Sequence, residues 1–224
     1  TKVSGISLRK QIIEALRAGI NTPELWLVGS VECLLYLGIY ATKTFLPMYS
    51  LQNGVSILWV GLFFSAQELI HLMARPFGGR LSDRLGYLPV AASGMMLAAF
   101  SIGMMPVMQS PLSLFLLAVG FGISQALIFP STLALFAEKM DSKHTGAGAG
   151  LIGALKNSAK VSGPILGGLL INWQSYAWMF WSMSILLALW SLGLLLNVLS
   201  EKLLNPQRDY GRAFTFNPKT VIKK

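Results

Sequence analysis

Six long, mostly apolar stretches follow one another along the chain, separated by short polar links. An α-helix needs about 20 apolar residues to cross the hydrocarbon core of a bilayer, and each stretch reaches that length. The sequence therefore predicts an all-α membrane protein with six transmembrane helices. The predicted spans are Leu25–Pro47, Val55–Ala74, Leu88–Met108, Leu112–Phe136, Ala147–Ile171 and Ala177–Leu199.

Polar and basic segments flank this predicted bundle. Residues 1–24 are predicted to be a cytoplasmic lead segment, in which Ser7–Ala18 is an amphipathic helix lying along the membrane interface. Residues 25–199 form the six-span bundle, and residues 200–224 form a basic cytoplasmic tail. Because the chain starts without Met and on a basic amphipathic segment, we expect it to be part of a longer polypeptide.

Outside the spans, lysine and arginine occur on one side of the predicted bundle only. The links on the other side, Met48–Gly54, Gln109–Pro111 and Asn172–Tyr176, contain neither residue. Loops rich in Lys and Arg face the cytoplasm in multi-pass membrane proteins. The basic side, which includes both termini, is therefore predicted to be cytoplasmic, in a plasma or inner membrane.

Composition supports the same class of protein. Of the 224 residues, 54% are hydrophobic and 12% are charged, whereas soluble domains carry about 25% charged residues. The net charge of +9 lies at span ends and tails, so it indicates topology and no nucleic-acid partner. A single cysteine, Cys33, excludes an intramolecular disulfide, and neither a metal site nor a cofactor is expected. The cytoplasmic loops hold no His/Asp/Ser constellation, so an enzyme is disfavoured.

The most specific motif is the segment RPFGGRLSDRLG, Arg75–Gly86, between the second and third predicted spans. Its glycines predict a tight cytoplasmic hairpin, since no Cβ hinders the turn or a close helix approach. The segment resembles the signature loop G-x-L-S/A-D-R-x-G of the major facilitator superfamily (MFS) of secondary transporters. The matching residues are Gly79, Leu81, Ser82, Asp83, Arg84 and Gly86, and the family's following basic pair is replaced by Tyr87 and Leu88.

The resemblance implies an MFS-type half-bundle of two three-helix repeats that works by alternating access. A second six-helix half, in the same longer chain or in a homodimer, is the implied partner. We expect this half to be the C-terminal one, since the family's first-half Arg near Ala118 or Val119 is absent. The resemblance also implies that Gly79, Asp83, Arg84 and Gly86 form a conformational latch. A similar glycine-proline motif implies helix bending and close packing at Gly163, Pro164, Gly167 and Gly168.

Charged residues inside the predicted spans are the candidates for chemistry. Glu32, Tyr36 and Lys43 share one helix face, at positions i, i+4 and i+11, and Glu68, His71 and Arg75 form a second stripe, at i, i+3 and i+7. Ionisable residues at membrane depth are costly and usually functional. We predict proton or ion coupling at Glu32, Glu68 and His71. The alternatives are that Glu32 and a Glu68–Arg75 network only fix packing, while Lys43 reaches outward to the interface.

The fifth span carries two lysines at i, i+4, which repel each other when both are charged. This predicts a water-filled cavity or an anionic partner, for which the candidates are Glu32, Glu68, a carboxylate in the second half and an anionic substrate. The predicted substrate-cavity residues are Tyr36, Lys43, Gln125, Phe129, Lys156, Asn157 and Lys160.

These features favour a secondary active transporter that exports a small organic molecule in exchange for protons. Its predicted partners are the lipid bilayer, a small organic solute, protons and the second half. One alternative is an organic-anion exchanger or uptake permease that uses the intramembrane lysines, because the three lysines outnumber the two glutamates there. The other alternative is a membrane scaffold or receptor that transports nothing.

Overall fold

The computed structural model describes residues 23–107, 110–139 and 145–204. Within these ranges the chain is all α-helical, as predicted. The predicted interfacial helix Ser7–Ala18 and most of the basic tail, residues 200–224, lie outside the described residues. The six helices are α1 (Pro23–Gln52), α2 (Ile57–Leu85), α3 (Tyr87–Met104), α4 (Pro111–Lys139), α5 (Thr145–Trp173) and α6 (Tyr176–Leu204).

The helices begin and end where the backbone requires special residues. Pro23 is the first residue of α1, a position where the missing N–H of proline costs nothing. Gly54 in the link to α2 and Gly86 after α2 adopt φ angles of 77° and 94°, a region that residues with a Cβ rarely enter. The N–H of Gly86 donates to the carbonyl of Ser82 at 2.9 Å, which closes the end of α2.

The prediction that Arg75–Gly86 forms a hairpin loop was wrong. Helix α2 continues to Leu85, so the turn is reduced to Gly86 alone. Glycines 78 and 79 each weaken a helix by about 1 kcal/mol relative to alanine, and Pro76 removes one backbone hydrogen bond. Close packing of this end of α2 against α4 compensates for that weakness. The residues assigned to a conformational loop, Gly79, Asp83 and Arg84, therefore lie on the last turns of a helix.

Glycines set how closely the helices approach one another. A Cβ on Gly78 of α2 would overlap the carbonyl oxygen of Ala126 on α4. In the same interface, a Cβ on Gly122 of α4 would lie 2.6 Å from the carbonyl oxygen of Gln67 on α2. Each helix thus brings its backbone against the other at a glycine, so α2 and α4 pack with little side-chain bulk between them.

Helix α2 packs most extensively on α4, α1 on α5, and α3 on both α4 and α6. The core between them is built from large apolar side chains such as Leu35, Phe63, Met95, Phe121 and Phe180. Hydroxyl groups add to the contact of α3 with α6, since Ser184 and Ser191 donate to the carbonyls of Ala99 and Ala92 at 2.6 and 2.7 Å.

The outer surface suits a membrane rather than water. Helix α6 exposes a series of large apolar side chains, among them Ile185, Leu189, Leu192 and Leu196. In the described part of the chain, five helices are long and apolar enough to cross a bilayer, and α5 is not one of them. Its 29 residues suffice in length, but two lysines and several glycines lower its mean hydropathy. Helix α5 nevertheless packs along α1 within the bundle.

We predict opposite effects of the same substitution at two glycines of α2. Gly78→Ala forces α2 away from α4 and lowers stability by about 1–3 kcal/mol, as overpacking typically does. Gly61→Ala is the matched control, because a Cβ there meets nothing within 4 Å and alanine favours a helix. Thermal unfolding in detergent measures the stability of both purified variants. A Gly78→Ala variant as stable as wild type would contradict the close approach of α2 and α4.

Candidate functional site

A buried ion pair joins α1 to α5. Glu32 of α1 is 6% exposed, and its Oε2 lies 2.8 Å from the Nζ of Lys156 on α5. Its other carboxylate oxygen accepts a hydrogen bond from the Thr132 hydroxyl of α4 at 2.7 Å. A buried carboxylate is tolerated when its charge is paired and its oxygens accept hydrogen bonds. At Glu32 the charge is paired by Lys156 and one of the two oxygens accepts a hydrogen bond from Thr132, and these two contacts connect three helices.

A second ion pair joins α1 to α2 in a more open setting. Glu68 Oε1 lies 3.1 Å from Lys43 Nζ, and the two side chains are 53% and 39% exposed. His71 Nδ1 lies 3.6 Å from Glu68 Oε2, and the amide nitrogen of Gln67 is 3.4 Å from Glu68 Oε1. The two carboxylates of the site thus differ in access, because Glu32 is enclosed whereas Glu68 faces open space.

A row of aromatic rings lies between the two ion pairs. The Tyr36 ring stacks against Tyr40, with centroids 6.2 Å apart, and contacts Phe129 at a tilt of 51°, with centroids 5.5 Å apart. Phe129 in turn contacts the His71 ring at 5.3 Å. The row therefore connects the Glu68 side of the site to the Glu32 side. Aromatic faces of this kind offer a flat apolar surface to a planar solute.

The rings also contact the lysines. The Nζ atoms of Lys156 and Lys160 lie 5.3 and 5.2 Å from the Tyr36 ring centroid. Lys160 and Lys43 lie 5.8 and 5.9 Å from the Tyr40 centroid. A cation this close to a ring face is attracted by the ring quadrupole. We name the two ion pairs, the four rings and Lys160 the central cluster: Glu32, Tyr36, Tyr40, Lys43, Glu68, His71, Phe129, Lys156 and Lys160.

Most residues predicted to carry chemistry meet in this cluster, and two do not. Asn157 is exposed on α5 and has no hydrogen bond to the cluster among the described residues. Gln125 is buried in α4, and its amide nitrogen has no hydrogen-bond partner in the described part of the chain. Glu68 pairs with Lys43 and His71, and the alternative Glu68–Arg75 network is not formed among these residues. Lys43 turns to Glu68 instead of reaching outward.

The sequence-based prediction missed three residues of the site. Tyr40 lies one helical turn after Tyr36, so the i, i+4 rule places it on the same face. Thr132 follows Phe129 by three residues on α4 and shares its face in the same way. Gln67 is adjacent to Glu68 and gave no periodic signal of its own. Spacing alone was therefore sufficient to find Tyr40 and Thr132, whereas Gln67 required the packing of α2 against α4.

The glycines of α5 bring it against the same face of α1. A Cβ on Gly163 would lie 2.7 Å from the carbonyl oxygen of Leu37, and one on Gly167 would lie 2.7 Å from the Phe45 ring. Gly168 has more room, with the nearest Phe45 atom at 3.6 Å. Helix α5 continues without interruption through Pro164. The close approach at Gly163 holds α5 beside α1 next to the central cluster.

Comparisons with known proteins agree with this architecture. The family model described as Major Facilitator Superfamily matches residues 28–222. The quinolone resistance protein NorA of Staphylococcus aureus (strain MRSA252) is 31% identical over 135 residues, which cover 60% of this chain and 35% of that protein. The uncharacterized MFS-type transporter YuxJ of Bacillus subtilis (strain 168) is 28% identical over 141 residues, which cover 61% of this chain and 36% of that protein. The matched region spans about a third of each relative.

We predict that the two lysines of α5 contribute unequally to stability. Lys156→Met leaves the buried Glu32 carboxylate without its counter-ion, a change that typically costs about 3–5 kcal/mol. Lys160→Met, one turn further along the same helix, removes only contacts with rings and costs much less. Thermal unfolding of both variants measures the difference. Adding Glu32→Gln to Lys156→Met should restore part of the lost stability, and equal losses in the two single variants would contradict the pairing.

Proposed function

This chain belongs to the Major Facilitator Superfamily and is an integral, multi-pass membrane protein, and from that premise we propose that it forms half of a secondary active transporter. It moves a small organic molecule by alternating access, and the family points to a transporter rather than an enzyme. The observation that carries the proposal is the central cluster, in which two ion pairs and a row of rings lie within otherwise apolar helices. Charges at membrane depth are expensive and mark solute or proton pathways.

Proton coupling follows from the unequal surroundings of the two carboxylates. Glu68 is open to a water-filled cavity and can exchange a proton with it, while His71, in contact with Glu68, accepts or returns that proton. Glu32 is enclosed by Lys156 and Thr132, so its protonation neutralises the carboxylate and leaves the Lys156 ammonium without its counter-ion. Protonation thereby weakens the contact between α1 and α5. A change of charge at this contact is thus able to bias the bundle between two arrangements.

Efflux is the direction that the similarity supports best. One of the similar proteins is named a quinolone resistance protein, and because export of a compound confers resistance to it, we propose that this chain exports an organic compound. The aromatic row of Tyr36, Tyr40 and Phe129 gives such a compound a surface on which to stack. Gln125 and Asn157, on the helices that carry Phe129 and Lys156, are proposed as further contacts when the cavity is complete.

The cavity is completed by a second six-helix half. The relatives extend well beyond the matched region, and the exposed face of α2 carries Glu68 among large apolar residues such as Leu69 and Leu72. A partner half that covers this face would enclose Glu68 and Lys43 without burying them in lipid. We propose that this chain is the C-terminal half of a longer protein, a homodimer being the alternative, with both termini in the cytoplasm at a plasma or inner membrane.

The cytoplasmic end of α2 is the proposed latch. Asp83 and Arg84 are exposed on its last turn, directly before the break at Gly86. We propose that Asp83 accepts hydrogen bonds from the N-terminus of a neighbouring helix, where backbone N–H groups and the helix dipole favour an anion. Such a contact must break when the cytoplasmic side opens. The rigid helical setting found here makes the latch move together with α2.

We predict that Glu32→Gln and Glu68→Gln uncouple solute movement from protons. In proteoliposomes, an imposed pH gradient should no longer drive accumulation of the solute, because the carboxyl group that binds the proton is gone. Exchange of labelled for unlabelled solute, which needs no net proton movement, should continue at a reduced rate. Glu68→Asp is the matched control, since it retains a carboxylate and should retain part of the coupling.

Two outcomes contradict this assignment in different ways. Proton-driven accumulation at the wild-type rate in both Gln variants excludes these carboxylates as coupling sites. Failure of the wild-type protein to move protons or any organic solute, in either direction, supports a membrane scaffold or receptor instead.

We further predict that Asp83→Asn slows transport without unfolding the protein. The amide keeps the shape of the side chain but loses the charge that favours a helix N-terminus. At equal amounts in the membrane, the transport rate should fall several-fold while the unfolding temperature stays close to that of wild type. An unchanged rate would remove the latch role of Asp83.

A further inference from the structure

Lys160 differs from the other two lysines of the central cluster. Lys43 and Lys156 lie 3.1 and 2.8 Å from glutamate oxygens. In the described part of the chain, Lys160 has no carboxylate within ion-pair distance, and its recorded partners are the rings of Tyr36 and Tyr40. It lies near the middle of α5, far from either end of the helix. Its ammonium group is therefore balanced by aromatic faces alone.

The charges of the cluster do not cancel. Three lysines, Lys43, Lys156 and Lys160, face two carboxylates, Glu32 and Glu68. With His71 neutral, one positive charge remains, and it belongs to Lys160. A ring quadrupole compensates a cation only in part, and an uncompensated charge at membrane depth is costly. An anionic group brought in by a ligand would complete the balance.

The surroundings of Lys160 also favour a particular shape of ligand. Tyr36 contacts Tyr40 and Phe129, so a continuous aromatic surface begins beside the ammonium group. A flat ring can stack on this surface while a carboxylate attached to it reaches Lys160. A cationic solute would meet the ammonium group of Lys160, which has no carboxylate partner among the described residues, and would be repelled.

We propose that Lys160, held between Tyr36 and Tyr40, is the receptor for the carboxylate of an aromatic solute. The inference rests on the proposed transport function and adds the class of solute: an aromatic carboxylate, not a cation. The Glu32–Lys156 and Glu68–Lys43 pairs keep their own partners when this solute binds. Lys160 thus selects the charge of the solute, and the tyrosine rings select its planarity.

The test compares three naphthalene probes that differ only in charge: naphthoate, its uncharged carboxamide and the cationic aminomethyl analogue. Equilibrium binding to the intact purified protein is followed by naphthalene fluorescence. Lys160→Gln removes the charge, and Lys160→Arg retains it. Arg80→Gln is the control for loss of a positive charge elsewhere, because Arg80 lies about 18 Å further along α2 than Glu68, at 1.5 Å per residue.

Wild-type protein should bind naphthoate more tightly than the carboxamide and bind the cation most weakly. Lys160→Gln should weaken naphthoate at least about tenfold, the scale of one charged hydrogen bond, and leave the carboxamide within about twofold. Lys160→Arg should recover most of the loss, and Arg80→Gln should change nothing. Tyr40→Leu should weaken naphthoate and carboxamide by similar factors, since stacking does not depend on the charge.

Several results overturn the proposal. It fails if wild type does not bind naphthoate, if the cationic probe binds most tightly, or if Lys160→Gln weakens the acid and the amide equally. Unfolding temperatures of all variants exclude loss of binding through misfolding. Flux in proteoliposomes distinguishes failure of the proposed Lys160 site from failure of the proposed transport function. Proton-coupled transport that tolerates Lys160→Gln leaves the proposed function standing without this site, whereas naphthoate binding without any flux leaves the site standing without the function.

Discussion

The structure depends on how a charge is accommodated inside an apolar bundle. Glu32 lies in the part of α1 that is enclosed by α4 and α5, where an unpaired carboxylate would be strongly unfavourable. The Lys156 ammonium at 2.8 Å from Oε2 pairs its charge, and the Thr132 hydroxyl donates a hydrogen bond to Oε1 at 2.7 Å. These contacts bring three helices to one point. The positions of the rings and of the remaining lysines follow from that junction.

Glycines make this junction possible by allowing the backbones to approach. Gly163 lets α5 lie against the Leu37 carbonyl of α1, and Gly78 and Gly122 do the same between α2 and α4. With larger residues at these positions, the helices would stand further apart and the ion pairs would lengthen. The same contacts also explain why a glycine-rich segment remains helical. Its weak intrinsic preference for a helix is offset by packing that only glycine permits.

The two ion pairs differ in their exposure to solvent, and the proposed mechanism depends on this difference. Glu68 and Lys43 are partly exposed, and in the proposed mechanism solvent and a partner half reach them, whereas protonation of Glu32 is proposed to loosen a helix contact. The aromatic row joins these two environments. Among the described residues, Lys160 is a cation beside the rings without a carboxylate partner, and we propose that it gives the site its preference for an anionic solute. In this proposal, coupling and selectivity involve neighbouring but separate residues.

The sequence by itself determined the all-helical membrane class, the family and most of the charged residues that share a helix face. These properties depend on local composition and on helical periodicity, as in the spacing of Glu32, Tyr36 and Lys43 and of Glu68 and His71. Only the tertiary structure decided the pairing, because a carboxylate on α1 and a lysine on α5 are related by packing and not by spacing. It also showed that the signature segment before Gly86 is helical, since the stability of a glycine-rich helix comes from the helix it contacts. The position of Lys160, with no carboxylate partner among the described residues, is likewise a tertiary property. It becomes evident only because Lys43 and Lys156 are the lysines that pair with the two glutamates.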